Sequence, residues 1–307
     1  MTSTARALAL SAKNLNKRFG DFHVLKNLSL DIEQGSIHGI VGLNGSGKTT
    51  SLDCLLGLQS FDSGTVSILG FEPAALYQAK GDIVAIFDTP SLNPHLTVRQ
   101  TLNHGLLLAN TPARTAAEVE SLLGIERFSN FKLKNLSLGN KRRVSIAHAL
   151  LGKPQLILLD EPFNGLDAAG VDDVLALIKS LNENDGTTFL LSSHQLPYLE
   201  LICSHIAVLH EGKIAVSDTI EHLLRGSKNV ALVKTHERGK LLASLESIEV
   251  NYLHQDGDGF HHIELGTVEP AHLNQHLVSN SVPVSELHVQ RASLTGLFRD
   301  ITKVTQP

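Results

Sequence analysis

The residues Gly42-Leu43-Asn44-Gly45-Ser46-Gly47-Lys48-Thr49 satisfy every fixed position of the pattern G-x-x-x-x-G-K-[ST]. Glycines let a loop close around a phosphate and turn its backbone N–H groups inward. A helix opening at Lys48 would point the positive end of its dipole at the same anion. In such a loop the Lys48 ammonium reaches the β- and γ-phosphates of a nucleotide, and the Thr49 hydroxyl ligates Mg²⁺. Asn44, Gly45, Ser46 and Gly47 form the cradle, and Thr50 is placed to donate to the α-phosphate.

Two further groups could act on a phosphate held there. Leu156-Ile157-Leu158-Leu159 runs into Asp160-Glu161-Pro162. On a buried parallel strand these acids emerge at the carboxyl end, where ligands bind. Asp160 would hold Mg²⁺, directly or through water, and Glu161 would face the attacking water as general base. Leu190-Leu191-Ser192-Ser193 likewise ends in His194, whose imidazole can hydrogen-bond a γ-phosphate and that water.

The elements that must position these groups are also legible. Residues 7–15 and 23–32 predict strands of an antiparallel edge. Residues 36–41 form a short apolar strand ending at the glycine loop, and 48–56 carries a helical pattern closed by Gly57. Apolar runs at 83–87, 156–159, 188–192 and 206–209 predict buried strands of a parallel sheet covered on both faces. Helical stretches at 171–181 and 196–203 between them indicate an α/β core. Helices over 97–108, 113–123 and 138–151 predict a helical subdomain at 88–153 inserted into that core. Pro112 is a suitable first-turn residue for the second of them. Leu102, Leu106 and Leu107 read as core, and Lys141-Arg142-Arg143 as a solvated helix face. The composition changes near Arg225-Gly226, dividing the chain into domains 1–225 and 226–307. The second domain has a β-α-β-β-α-β order, with a hairpin turn at Asp256-Gly257-Asp258-Gly259, and matches a small ferredoxin-like unit closed by a helix at 293–302.

Composition narrows the class. The formal charge of −5 over 307 residues gives no basic footprint for nucleic acid. Two distant cysteines, Cys54 and Cys203, make no disulfide framework. The first residues lack a basic stretch followed by an apolar core, so no signal peptide is expected. No run reaches the ~20 apolar residues that span a bilayer, so any membrane role must come through a partner. His272 and His276, four apart on a helix, and His261-His262 read as ordinary histidines rather than a metal site.

At Leu136-Ser137-Leu138-Gly139-Asn140 the chain resembles the signature L-S-G-G-Q of ATP-binding-cassette (ABC) proteins. Asn164-Gly165-Leu166-Asp167 is similar to that family's D-loop, and Phe19 matches the aromatic that stacks on adenine. The resemblance covers residues 12 to about 215 and implies the α/β P-loop cassette fold: a mostly parallel core sheet, an antiparallel edge sheet and an inserted helical subdomain. It implies an ATPase using ATP and Mg²⁺, with two cassettes closed head to tail, most simply as a homodimer. Ser137, Gly139 and Asn140 would then act on the nucleotide of the facing subunit, and Asp167 would link the two sites. The implied partner is an integral-membrane permease, contacted from Asp88 to Gly105, with the chain cytoplasmic and peripheral on the inner face of the membrane. Two positions depart from the family pattern. Asp88 stands where a glutamine is usual, resembling exporters of antibiotics and lantibiotics, and would sense Mg²⁺; Leu138 and Asn140 replace glycine and glutamine. The 226–307 domain resembles the extension of ABC-2-type exporter ATPases, so export is the expected direction. The alternative is a soluble ABC ATPase of the translation or DNA-repair type. A single phosphate loop, and the lack of sustained heptads between Lys48 and Asp160, favour the transporter. The base-reading N-K-x-D motif of GTPases is absent, since Asn140-Lys141 is followed by Arg142-Arg143.

Overall fold

The computed structural model describes residues 7–88, 92–108, 112–225, 229–290 and 293–303. The chain divides into two compact units, Met1–Thr219 and Ile220–Pro307.

The first unit contains, in chain order, β1 (Leu8–Phe19), β2 (Phe22–Glu33), β3 (Ile37–Val41), α1 (Lys48–Leu55), β4 (Ser63–Ile68), β5 (Ile83–Ile86), α2 (Val98–Leu108), α3 (Ala116–Leu122), α4 (Leu138–Ala149), β6 (Leu156–Asp160), α5 (Ala168–Asp185), β7 (Thr188–Ser193), α6 (Leu196–Ile202), β8 (His205–His210) and β9 (Lys213–Thr219). Six strands form one sheet in the order β5-β6-β7-β3-β8-β9. Its first five strands are parallel, and β9 joins the edge antiparallel. Every residue of β3, β6 and β7 is buried, as central strands between two covering layers must be. Within this core His38 stacks on His205 at 4.4 Å, and burial pushes the His38 pKa down to about 3. Register places Asp160 beside Ser192 and Val41 beside Ser193, so the carboxyl ends of β3, β6 and β7 share one edge. The phosphate loop follows β3, Asp160 ends β6 with Glu161 next to it, and His194 follows β7.

A second sheet, β2-β1-β4, is antiparallel. Leu15, Leu25 and Leu28 from it pack with Leu52 and Leu55 of α1 and with Leu156 and Leu158 of β6 in one core. That packing fixes the helix carrying Lys48 and Thr49. Strands β4 and β9 lie outside the sequence expectation. β4 begins with small exposed residues and buries Val66 and Ile68, while β9 is a half-exposed edge.

The helical insert contains α2, α3 and α4. Thr97 Oγ1 accepts from the Gln100 amide at 3.1 Å and opens α2. α3 starts later than expected from Pro112, because Thr115 and Glu118 form a reciprocal capping box. Leu102 is buried in the insert, but Leu107 is 85% exposed and does not belong to the core.

The second unit contains α7 (Ile220–Arg225), β10 (Val230–Lys234), α8 (Arg238–Leu245), β11 (Asn251–Gln255), β12 (Phe260–Glu264), α9 (Pro270–Ser279), β13 (Glu286–Gln290) and α10 (Leu294–Lys303). Its sheet order, β11-β12-β10-β13, is antiparallel throughout and matches the ferredoxin-like arrangement. Leu241, Leu245, Leu273 and Leu277 of α8 and α9 pack against Ala231, Val233 and Ile263. The unit begins before α7 rather than at 225/226, since α7 packs against α10. Among the described residues, no helix is long and apolar enough to cross a membrane.

Candidate nucleotide site

The phosphate loop is shaped by close approach. A Cβ on Gly42 would lie 2.4 Å from Ser46 Oγ and 2.6 Å from the Leu209 carbonyl oxygen. Gly47 caps α1 with φ 105°, a conformation that L side chains rarely adopt. Replacing Gly42 by Ala is therefore expected to destabilise the first unit by about 1–3 kcal/mol and to weaken nucleotide binding. Denaturant unfolding and titration with a fluorescent nucleotide check this.

Lys48 is 7% exposed, and its Nζ donates to the carbonyls of Gly42 at 2.8 Å and Leu43 at 3.4 Å. The same nitrogen lies 3.7 Å from Glu161 Oε1. Glu161 Oε2 accepts from Ser193 Oγ at 3.1 Å and from the His194 amide at 3.4 Å, with His194 Nδ1 at 2.9 Å. The loop cation, the acid and the histidine thus form one cluster at the sheet edge.

Thr49 Oγ1 donates to Asp160 Oδ2 at 3.3 Å, and Ser192 Oγ donates to Asp160 Oδ1. A hydroxyl and a carboxylate in contact beside a phosphate loop suit Mg²⁺, which takes oxygen ligands and keeps water and phosphate for the rest. Asp88 is engaged differently. Its Oδ1 accepts from Arg142 Nη2 and from Asn164 Nδ2, both at 3.2 Å.

Ser137 caps α4, its Oγ accepting from the Asn140 amide at 3.3 Å. Asp167 caps α5 through the Gly170 amide at 3.0 Å. Leu138 packs over Gly165, where a Cβ would lie 2.2 Å from Leu138 Cδ2. Among the described residues, Ser137, Gly139 and Asn140 make no hydrogen bond to the phosphate loop or to Glu161. Phe19 is 48% exposed at the end of β1, with Lys17 Nζ 4.7 Å from its ring centroid.

The expectation of a solvated face at Lys141-Arg142-Arg143 fails at Arg142, which is 1% exposed. Burial holds its pKa below the usual guanidinium range, with Asp88 acting against that shift. Ser192, Ser193 and Gln195 also belong to the network, although as isolated polar residues they carry no sequence signal.

Comparison with known proteins agrees with this geometry. Residues 25–164 match the family model described as ABC transporter. The bacitracin transport ATP-binding protein BcrA of Bacillus licheniformis is 30% identical over 297 residues, covering 94% of this chain and 95% of its own. The chain belongs to the ABC transporter family. The methionine import ATP-binding protein MetN of Clostridioides difficile is 34% identical over 232 residues, 72% of each chain. Among solved structures, the dimeric ATP-binding cassette MJ0796 bound to ADP and Pi superposes with a TM-score of 0.63 at 29% identity, covering 69% of this chain and 98% of that one. This ABC chain is thus an ATPase motor subunit built on the P-loop cassette fold, as the resemblance implied.

Proposed function

We propose that two copies of the cassette close head to tail on MgATP and hydrolyse it, driving a separate membrane permease in export. The observation that carries this reading is the Lys48–Glu161–His194 cluster at the carboxyl edge of the parallel sheet. Lys48 leaves its loop carbonyls for the β- and γ-phosphates, while Asn44, Gly45, Ser46, Gly47 and Thr50 line the cradle. Thr49 and Asp160 hold Mg²⁺, which neutralises phosphate charge when bound, and Asp88 senses it. Glu161 takes the proton of the attacking water, and His194 orients that water and the γ-phosphate. The free face of Phe19, opposite Lys17, stacks on the base. Ser137, Gly139 and Asn140 meet the nucleotide of the facing subunit at the N-terminus of α4. Asp167 carries the state of one site to the other.

Support for export comes from the extent of similarity. The match to a protein named for bacitracin transport runs through the second unit, whereas the match to a protein named for methionine import spans 72% of the chain. The second unit is proposed as an accessory domain. The chain works on the cytoplasmic face, held there by its permease.

We assign the permease surface to 88–105, of which 89–91 lie outside the described residues, and to the groove beside Gly105. That groove, of about 750 Å³, is lined by Tyr77, Val84, Gly105, Leu108 and His148. Tyr77 and Leu108 are 79% and 69% exposed. Replacing Leu108 by Glu is expected to abolish co-purification with a polytopic membrane protein from detergent-solubilised membranes while leaving the basal ATPase rate unchanged. Recovery of the unaltered chain with ribosomes or nucleic acid instead would contradict the transporter reading.

A further inference from the structure

We infer that Arg142 is a positioning residue for the general base Glu161, with the Asp88 carboxylate as its counter-ion. The inference rests on the role proposed above for Glu161. The Arg142 guanidinium reaches segments far apart in sequence. Its Nη1 donates to the Phe87 carbonyl at 3.0 Å. Its Nη2 donates to the Asp88 carbonyl at 2.9 Å, to Asp88 Oδ1 at 3.2 Å and to the Glu161 carbonyl at 3.3 Å. Arg142 lies on α4 of the helical insert, Phe87 and Asp88 follow β5, and Glu161 follows β6. A planar fork with fixed donor directions therefore ties the insert to the core at the base itself.

The Glu161 end of this tie needs holding. Glu161 has φ 47°, which a non-glycine residue keeps only where its surroundings over-determine it. Its amide donates to the Ser192 carbonyl at 2.9 Å, and its carbonyl accepts from the Asn164 amide at 3.2 Å as well as from Arg142. These bonds orient the peptide from which the carboxylate is aimed. A second path reaches the carboxylate from the other side. Asn164 bridges Asp88 Oδ1 at 3.2 Å and Gln195 Nε2 at 3.1 Å. The Gln195 amide donates to Ser193 Oγ at 3.1 Å, and that hydroxyl donates to Glu161 Oε2 at 3.1 Å.

Charge balance agrees. A guanidinium 1% exposed requires an acid, and Glu161 turns its carboxylate to Lys48 and His194. Asp88, 49% exposed, is the acid bonded to Arg142. Displacing the helical insert would stretch the fork and change the aim of the base.

Arg142→Gln and Asp88→Asn, singly and together in the full chain, test this by hydrogen exchange without nucleotide and by ATP turnover. Arg142→Gln is expected to speed exchange at the Asn164 amide by about tenfold or more, while β3 keeps its protection. It is expected to lower kcat about tenfold with KM for MgATP within about twofold, as for a group that aims another. Arg142→Lys restores the charge without the fork and is expected to recover less than about a third of the lost rate. The double variant should be no slower than Arg142→Gln, because both changes break one tie. Unchanged exchange at Asn164, additive losses, full rescue by Lys, or a raised KM with intact kcat would each overturn the inference. If Arg142→Gln fails to fold, Asp88→Asn, altered at the half-exposed end, carries the exchange measurement, which is made without nucleotide and so does not depend on the Mg²⁺-sensing role of Asp88. Absence of turnover in the unaltered chain would count against the proposed hydrolysis, and the exchange result would still decide the clamp.

Discussion

Glu161→Gln is expected to lower ATP turnover by about 10²–10⁴-fold while leaving MgATP binding intact. The amide keeps the shape of the carboxylate and its place near Ser193, His194 and Lys48. It cannot accept the proton of an attacking water. Binding survives because the loop, Thr49 and Asp160 are unchanged, so the closed dimer should accumulate. Single-turnover hydrolysis and sedimentation with MgATP measure both halves. A variant that turns over at the unaltered rate would remove Glu161 from the role of base.

Lys48→Ala should act on binding and turnover together. The ammonium is buried, bonded to two loop carbonyls and close to Glu161. Its removal takes away the side-chain cation that bonds the loop carbonyls and leaves those carbonyls short of a donor. Loss of a charge aimed at transferring phosphate costs about 10²–10³-fold in turnover. Nucleotide titration should show weaker binding as well, in contrast to Glu161→Gln. Equal binding by both variants would contradict the division of labour between cation and base.

The parts of the site that rest on a local pattern were legible in the sequence. The phosphate loop, the acid pair at the end of β6 and His194 after β7 each close a short, mostly apolar run, and parallel pairing brings those run ends to one edge. The ferredoxin-like unit was legible because its strands and helices alternate cleanly and its hairpin carries turn residues. What escaped depends on tertiary contact. Arg142 sits in a basic run indistinguishable from a surface face, and only docking of α4 on β5 and β6 buries it. The bonds of Asp88 to Arg142 and Asn164 also escaped, because those partners come from distant segments. Strand β4 has too few apolar residues to announce itself, and Leu107, five residues past Leu102 on α2, is turned away from its face.

The central claim is that each ATP is hydrolysed between the phosphate loop of one copy and the α4 N-terminus of the other. Mixing two inactive variants, Lys48→Ala and Ser137→Arg, tests it most directly; Ser137 is exposed, and losing its cap on α4 costs about 1 kcal/mol. A mixed dimer places both defects in one site and leaves the other site intact. The account predicts that the mixture recovers ATPase activity that neither variant has alone. A mixture as inactive as its components, with dimers present by sedimentation, would contradict it.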